Sequence, residues 1–236
     1  LHVEHDDVAG EARLDEIGGM MVDSDAATGV YLIRFPPGTN VEVLLQQVRR
    51  SALVAHAELN HVTRLPAQRP SADREAPRLP DVRPPADGSI PVAVLDSGLD
   101  PQAGLSAVVS AAWDAVSPER ELSDPAGHGT QMAYLAAGLI PADGAGTTGE
   151  SLPVVSVRAF DEDGKTSNFA ILQALAYAAQ AGARVVNMSW GSETDSEFMR
   201  TAMQVAADRG MLLVAAAGNT PDGIPVYPAA YPDVMA

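Results

Sequence analysis

The chain has 236 residues, of which 46 % are hydrophobic and 19 % charged, so it can build a core and is neither a disordered tail nor a collagen-like fibre. Its formal net charge of −16 argues against binding to nucleic-acid phosphates or to anionic membranes. It has no cysteine, which excludes disulfides, zinc–thiolate sites and a cysteine nucleophile, and no apolar run reaches the roughly 18 residues of a transmembrane helix.

Residues 1–65 are predicted to form a small α/β domain. The run VYLIRF at 30–35 is typical of a strand, and the Pro-Pro-Gly that follows it predicts a turn. Thr39, with Glu42 three residues later, predicts a capping box at the start of a helix. The apolar face of that helix is Val41, Leu44, Leu45 and Val48, and short extended segments are expected at 53–57 and 61–65.

Residues 66–88 are predicted to be an extended linker. Six of the eighteen prolines fall in this stretch, together with four arginines and four acidic residues, so few of its side chains could pack into a core. The linker separates the N-terminal domain from a larger region at 89–236.

The larger region alternates between two patterns. Continuous apolar runs at 91–95, 154–158, 184–188 and 211–215 are typical of parallel strands buried on both faces. Helical patterns lie between them, at 129–139, at 168–181 after Ser167 as N-cap, and at 196–209 before Gly210. The sequence therefore predicts an α/β fold, a parallel sheet with helices on both faces, with functional residues at the carboxyl ends of the strands.

Four polar motifs follow strands or open a helix in this region. Taken singly, each has an ordinary structural explanation, such as a turn acid, a histidine at a helix start or a glycine-containing turn. Their key residues, Asp96, His128, Ser189 and Asn219, are separated by 32, 61 and 30 positions. The motifs are Val94-Leu95-Asp96-Ser97-Gly98, Gly127-His128-Gly129-Thr130, Asn187-Met188-Ser189-Trp190-Gly191 and Ala216-Ala217-Gly218-Asn219.

As a set, these motifs resemble those of the subtilisin-like serine proteases, the subtilases (peptidase family S8), over roughly residues 90–236. Residues 29–35, 37–39 and 57–62 similarly resemble the inhibitory propeptide of that family, with an unrelated small domain as the alternative. The resemblance implies a subtilisin-like parallel sheet preceded by a small α/β propeptide-like domain. It also implies a secreted bacterial zymogen that cleaves polypeptide substrates, with its own propeptide-like domain and the remaining C-terminal part of the catalytic domain as partners.

The resemblance implies a role for each motif. Asp96 would orient His128, which would act as general base and then as general acid, and Asn219 would donate its amide to the oxyanion. The backbone of Ser189, Trp190 and Gly191 would pair with an extended substrate, while Ala216, Ala217 and Gly218 would line part of the pocket for the side chain before the scissile bond (P1). No cofactor is needed for this chemistry, and a structural calcium ion has no visible ligand set.

The sequence departs from the family pattern at the nucleophile. The serine is expected beyond Ala236, so this segment alone is predicted to be inactive. The helix after His128 has an unusual Gln131-Met132-Ala133-Tyr134, and the connection from 139 to 152 is atypical. A catalytically silent subtilase that binds or regulates, or a non-proteolytic α/β ligand-binding domain, are the alternatives.

Three further motifs favour no function. The sequence at 144–149 reads G-x-G-x-x-G, but it follows a helix and precedes a strand, the reverse of a dinucleotide site. Asp161 to Gly164 resembles the start of a calcium loop without its later ligands. The glycosylation sequon at Asn187 falls in a predicted buried strand.

Overall fold

The computed structural model describes residues 2–3, 18–25, 28–51, 54–66, 85–140, 151–219 and 223–236. The chain divides into two units, Leu1–His61 and Val62–Ala236. Most of the predicted linker and the whole G-x-G-x-x-G motif lie outside the described residues. In the described ranges, no helix has the length and apolar character needed to cross a membrane.

The first unit is a four-stranded antiparallel sheet with one described helix. The strand order is β2-β3-β1-β4. Its elements are β1 (His2–Val3), β2 (Met20–Asp25), β3 (Val30–Arg34), α1 (Val41–Val48) and β4 (Val54–His56). The predicted apolar face of α1 lines a groove of about 380 Å³ together with residues of β3, so the small α/β character expected from the sequence is present.

Helix α1 is capped one residue later than the sequence predicts. The N-cap is Asn40, whose side-chain oxygen accepts a hydrogen bond from the backbone N–H of Val43 at 3.1 Å. The hydroxyl of Thr39 instead donates to the carbonyl of Pro36 at 2.8 Å and closes the preceding turn. The predicted Thr39–Glu42 capping box is therefore wrong, because a better-placed side-chain acceptor stands next to it.

The second unit is built on a six-stranded sheet in which every neighbouring pair is parallel. The order is β12-β11-β10-β6-β8-β7. The strands are β6 (Val92–Asp96), β7 (Val109–Asp114), β8 (Val154–Arg158), β10 (Val185–Met188), β11 (Leu212–Ala215) and β12 (Val234–Met235). Two short strands, β5 (Val62–Arg64) and β9 (Lys165–Ser167), form a separate antiparallel pair.

In the described part of this unit, three helices cover the sheet, α2 (His128–Ala136), α3 (Asn168–Gln180) and α4 (Glu197–Asp208). The whole of β8 and the last four residues of β6 are buried. Because successive side chains of a strand point to opposite faces, this burial requires cover on both sides of the sheet. The predicted parallel α/β architecture is confirmed.

The predicted ends of α3 and α4 are also confirmed to within one residue. Ser167 accepts a hydrogen bond from Ala170 N and caps α3 as expected. Ser196, where the second helix was predicted to begin, accepts a hydrogen bond from Met199 N and is the N-cap, so α4 begins one residue later at Glu197. Gly182 and Gly210 follow the two helices with φ of +85° and +83°, the left-handed conformation that ends a helix most easily at glycine.

Several strands have no recognisable sequence signal. Strand β7 reads VSAAWD and lies at the sheet edge with an alternating half-buried pattern. Alanine and serine carry little strand preference, so only its pairing with β8 defines it. Strands β2, β9 and β12 were likewise not predicted, since each is short or largely exposed.

Candidate active site

The predicted site residues leave the sheet at one edge. In the strand register Val94 lies beside Asn187, and Met188 lies beside Ala215. Since these strands are parallel, the carboxyl ends of β6, β10 and β11 share an edge. The segments that begin at Asp96, Ser189 and Ala216 therefore all emerge there.

Asp96 is the last residue of β6 and is completely buried. Its Oδ1 accepts a hydrogen bond from the backbone N–H of Ser97 at 2.7 Å and faces Nδ1 of His128 at 2.7 Å. Its Oδ2 is also buried and accepts no hydrogen bond from any residue that the structure describes. A buried carboxylate with so few donors needs a strong partner, and the imidazole is that partner.

His128 is the first residue of α2, and its side chain is only 15 % exposed. The hydrogen bond that His128 donates to the carboxylate of Asp96 is the main cause that raises the pKa of His128 above its ordinary value. Burial lowers that pKa, while the negative charges of Asp96 and Asp124 raise it further. The net effect is that the protonated imidazole is stabilised, with Nδ1 held toward Asp96.

Two glycines let the helix carrying His128 approach the end of β6. A Cβ atom built on Gly129 would lie 2.3 Å from the carbonyl oxygen of Gly98, and one on Gly98 would lie 1.9 Å from that of Ser123. Gly98 also has φ of +120°, a region that other residues rarely adopt. The motifs at 94–98 and 127–130 thus contact each other through Gly98 and Gly129.

The Ser189–Gly191 segment joins the site through its backbone. Trp190 is buried, donates its indole N–H to the carbonyl of Leu95 at 2.8 Å and packs edge-on against Phe160. Its side chain therefore supports the strand end beside Asp96. The sequon asparagine, Asn187, donates to the hydroxyl of Ser189 within the sheet, as its predicted strand position implies.

Residues 216–219 follow β11 and are exposed. Gly218 has φ of +86°. Asn219 forms no described hydrogen bond with Asp96 or His128, so the structure brings only those two predicted catalytic residues into contact. Asn219 follows the end of β11 by four residues, and the carboxyl end of β11 lies at the same sheet edge as that of β6.

Sequence reasoning missed two residues here. Val226 packs so closely that a Cβ on Gly191 would lie 2.3 Å from its Cγ1, and one on Gly218 would lie 2.8 Å from its Cγ2. Asp124 reaches the first turn of α2 from four residues before His128. An acid just ahead of a helix start is a signal that could have identified Asp124, whereas nothing local marks Val226.

Among the described residues, no group of three or more His, Asp or Glu side chains is arranged to hold a metal ion. Asp161, at the start of the calcium-loop-like motif, accepts hydrogen bonds from the N–H groups of Asp163 and Lys165. Asp163 pairs with the ammonium group of Lys165, which lowers the pKa of Asp163. These contacts make the motif a turn between β8 and β9.

The profile of the subtilase family matches residues 87–236. The minor extracellular protease Epr of Bacillus subtilis is 37 % identical over 153 residues, which are 63 % of this chain and 23 % of that protein. Thermitase of Thermoactinomyces vulgaris is 31 % identical over 165 residues, or 69 % of this chain and 58 % of that protein. Subtilisin Savinase of Lederbergia lenta is 35 % identical over 147 residues, or 62 % and 54 %. The chain thus spans less than two thirds of the length of each of these relatives. Because the subtilase profile matches more than half of the chain, the chain belongs to the subtilase family.

Proposed function

We propose that the complete protein is a serine endopeptidase that hydrolyses peptide bonds with an Asp–His–Ser triad. The observation that carries this proposal is the 2.7 Å contact between Nδ1 of His128 and Oδ1 of buried Asp96. This contact leaves Nε2 as the nitrogen that takes up a proton, which is the arrangement of a general base held by a carboxylate.

In the proposed reaction, Nε2 of His128 takes the proton of a serine hydroxyl as the hydroxyl oxygen attacks the peptide carbonyl. Asp96 keeps the imidazole in the tautomer with Nδ1 protonated and stabilises the imidazolium that forms. His128 then gives its proton to the leaving amine, and water repeats the sequence on the acyl-enzyme.

The nucleophile is proposed to be a serine outside residues 1–236. No described serine hydroxyl forms a hydrogen bond with His128, whose described partner is Asp96. Ser189 belongs to the segment proposed to bind substrate, and its hydroxyl accepts from Asn187.

Substrate would bind along the exposed carboxyl edge of the sheet. The backbone of Ser189–Gly191 would pair with the extended peptide, and Ala216–Gly218 would form part of the P1 pocket. The side-chain amide of Asn219 would donate to the oxyanion of the tetrahedral intermediate, an interaction whose loss costs about 10²–10³ in rate in enzymes of this chemistry. None of these steps needs a cofactor.

The N-terminal region is proposed to act as an inhibitory propeptide, which makes the protein a zymogen. The support is strand β5, which pairs antiparallel with β9, Thr63 lying opposite Thr166. The pairing continues where the N–H of Leu65 donates to the carbonyl of Gly164 at 2.8 Å, and Thr63 is buried. An extended segment added to a strand edge imitates the way a peptide substrate binds.

The Epr relative is by its name an extracellular protease, and we propose that this protein is likewise secreted by a bacterium.

The proposed serine nucleophile and the proposed inhibition by the N-terminal region can be tested together in the full-length protein with a serine-directed fluorophosphonate probe.

Full-length protein should be labelled on one serine outside this sequence, while residues 1–236 alone and the His128→Ala variant should not be labelled. Thr63→Arg should speed labelling, because a long charged side chain cannot occupy the buried position of Thr63. A full-length protein that never labels, even after removal of residues 1–66, would support the silent-subtilase alternative.

A further inference from the structure

The carboxylate of Asp124 accepts four hydrogen bonds. Its Oδ1 receives the hydroxyl of Ser97 at 2.7 Å and the N–H of Gly127 at 2.9 Å. Its Oδ2 receives the N–H and the hydroxyl of Thr130 at 2.7 and 2.6 Å. We infer that Asp124 is a positioning residue that fixes His128 against Asp96, and the inference rests on the proposed function.

Helix α2 has no cap of the usual kind. Its N-cap residue is Gly127, which has no side chain to accept the free N–H groups of the first turn. Asp124 takes the N–H of Thr130, and the hydroxyl oxygen of Ser97 takes that of Gly129 at 2.9 Å. Both acceptors come from outside the helix, so the capping interactions also determine where the helix begins.

The same contacts attach the helix to the strand that carries Asp96. Ser97 directly follows Asp96, and its hydroxyl lies 2.7 Å from Asp124 but 3.3 Å from Asp96. The hydroxyl of Thr130 accepts the N–H of Asp100, three residues beyond Ser97, at 2.9 Å. We call Ser97, Asp124 and Thr130 the α2 clamp, because they join residues 97–100 to the first turn of α2.

His128 lies inside the segment that the clamp holds. It stands between Gly127 and Gly129, both of which donate backbone hydrogen bonds to clamp residues. The 2.7 Å contact between His128 and Asp96 is kept only if the backbones of both residues hold their positions. A displacement of about 1 Å in a catalytic site costs on the order of 10²-fold in rate, so this constraint affects the proposed reaction. The clamp supplies this constraint without touching substrate.

Asp124 has a second, electrostatic effect on His128. The negative charges of Asp96 and Asp124 both favour the protonated form of the imidazole. Replacing Asp124 by asparagine removes one of these charges, so the pKa of His128 should fall. The carbonyl of the new amide can still accept from Thr130, whereas its NH₂ group faces the N–H of Gly127 and loses that hydrogen bond.

The test uses the full-length protein with Asp124→Asn, Asp124→Ala and Ser97→Ala, and measures the His128 pKa by NMR titration and kcat and KM on a peptide ester. Asp100→Asn is the matched control, because it removes a nearby exposed charge whose carboxylate accepts from Gln102.

We expect kcat to fall about 10- to 10²-fold, with KM nearly unchanged, in the two Asp124 variants and in Ser97→Ala. The His128 pKa should fall in the two Asp124 variants and change less in Ser97→Ala and Asp100→Asn.

An Asp124→Asn protein with unchanged kcat and an unchanged His128 pKa would overturn the inference, as would an equal pKa change in Asp100→Asn. A loss of thermal stability alone, with kcat intact, would mean that the clamp only supports the fold. If Asp124→Ala does not fold, Ser97→Ala still tests the positioning role. An unmodified protein without peptidase activity would refute the proposed function, while the NMR titration would still test the effect of Asp124 on His128.

Discussion

Asp96 and Asp114 occupy equivalent places in the sheet but have different environments. Each is the last residue of its strand, each is buried, and each lies opposite Arg158 of the strand between them. The guanidinium of Arg158 pairs with Asp114 at 2.9 Å, and the other oxygen of Asp114 accepts the N–H groups of Val116 and Ser117. Asp96 instead faces His128 and keeps one oxygen without a described donor.

The difference separates a carboxylate paired with an arginine from one paired with a histidine. One oxygen of Asp114 accepts from the guanidinium of Arg158 and the other accepts from two backbone N–H groups, so both oxygens have donors. The partner of Asp96 is an imidazole, the one side chain that ordinarily titrates near neutral pH. The proton transfer proposed above is therefore assigned to the end of β6, where a carboxylate lies beside an imidazole, and not to the end of β7.

The largest expected effect follows from replacing Asp96. Asp96→Asn should lower kcat of the full-length enzyme by about 10⁴-fold, because the amide no longer holds the productive tautomer of His128. Steady-state kinetics on a peptide substrate measure this effect, with Asp114→Asn as the comparison. A similar loss of kcat in both variants would show that the two carboxylates do not differ in the way described.

Removing Asp114 should instead act on stability. Asp114→Ala leaves the guanidinium of Arg158 buried and unpaired, and such a change typically costs about 3–5 kcal/mol in the free energy of unfolding. Urea denaturation measures this loss. The double variant Asp114→Leu with Arg158→Met removes both charges and should recover much of the stability, while recovery no better than the single variant would contradict the ion-pair explanation.

The acid side of the pH–activity profile should reflect His128. Because its pKa is raised, kcat/KM should decline as pH falls through a value above the ordinary histidine pKa of about 6.5. The same shift contributes stability that is fully present below about pH 6.5 and is lost as pH rises through the folded-state pKa. Asp96→Asn should reduce this pH dependence of unfolding, whereas Asp114→Asn should leave it in place.

The smallest effect is expected at an exposed carboxylate. Asp195 binds Arg200 with both oxygens, at 2.8 and 2.6 Å, yet both side chains are close to half exposed. Water screens such a pair, so Asp195→Asn should change the free energy of unfolding by about 0–1 kcal/mol. A thermal melt that shows a loss comparable to that of Asp114→Ala would mean that burial does not explain the contrast.

The parallel sheet could be predicted from the sequence because its central strands are continuous apolar runs. The apolar runs at 92–96 and 154–158 correctly predicted strands buried on both faces, whereas in β10 (185–188) buried residues alternate with half-buried ones. Helix ends at Ser167 and Ser196 were also predictable, since capping is a local interaction. The resemblance of the motifs to those of the subtilases then implied that Asp96 and His128 form a pair, and the two side chains lie 2.7 Å apart.

Tertiary structure decided that the buried Arg158 pairs with Asp114 and not with Asp96, although both aspartates lie opposite it. Nothing near Asp114 in the sequence marks its pairing with Arg158, which lies 44 positions away and meets it only through strand register. The contact of Asp124 with Ser97 and the packing of Val226 against two glycines likewise depend on loops brought together by the fold. Local sequence determines strands and helix ends through backbone preference and burial, while the partners of buried charges are fixed only when distant segments exclude water together.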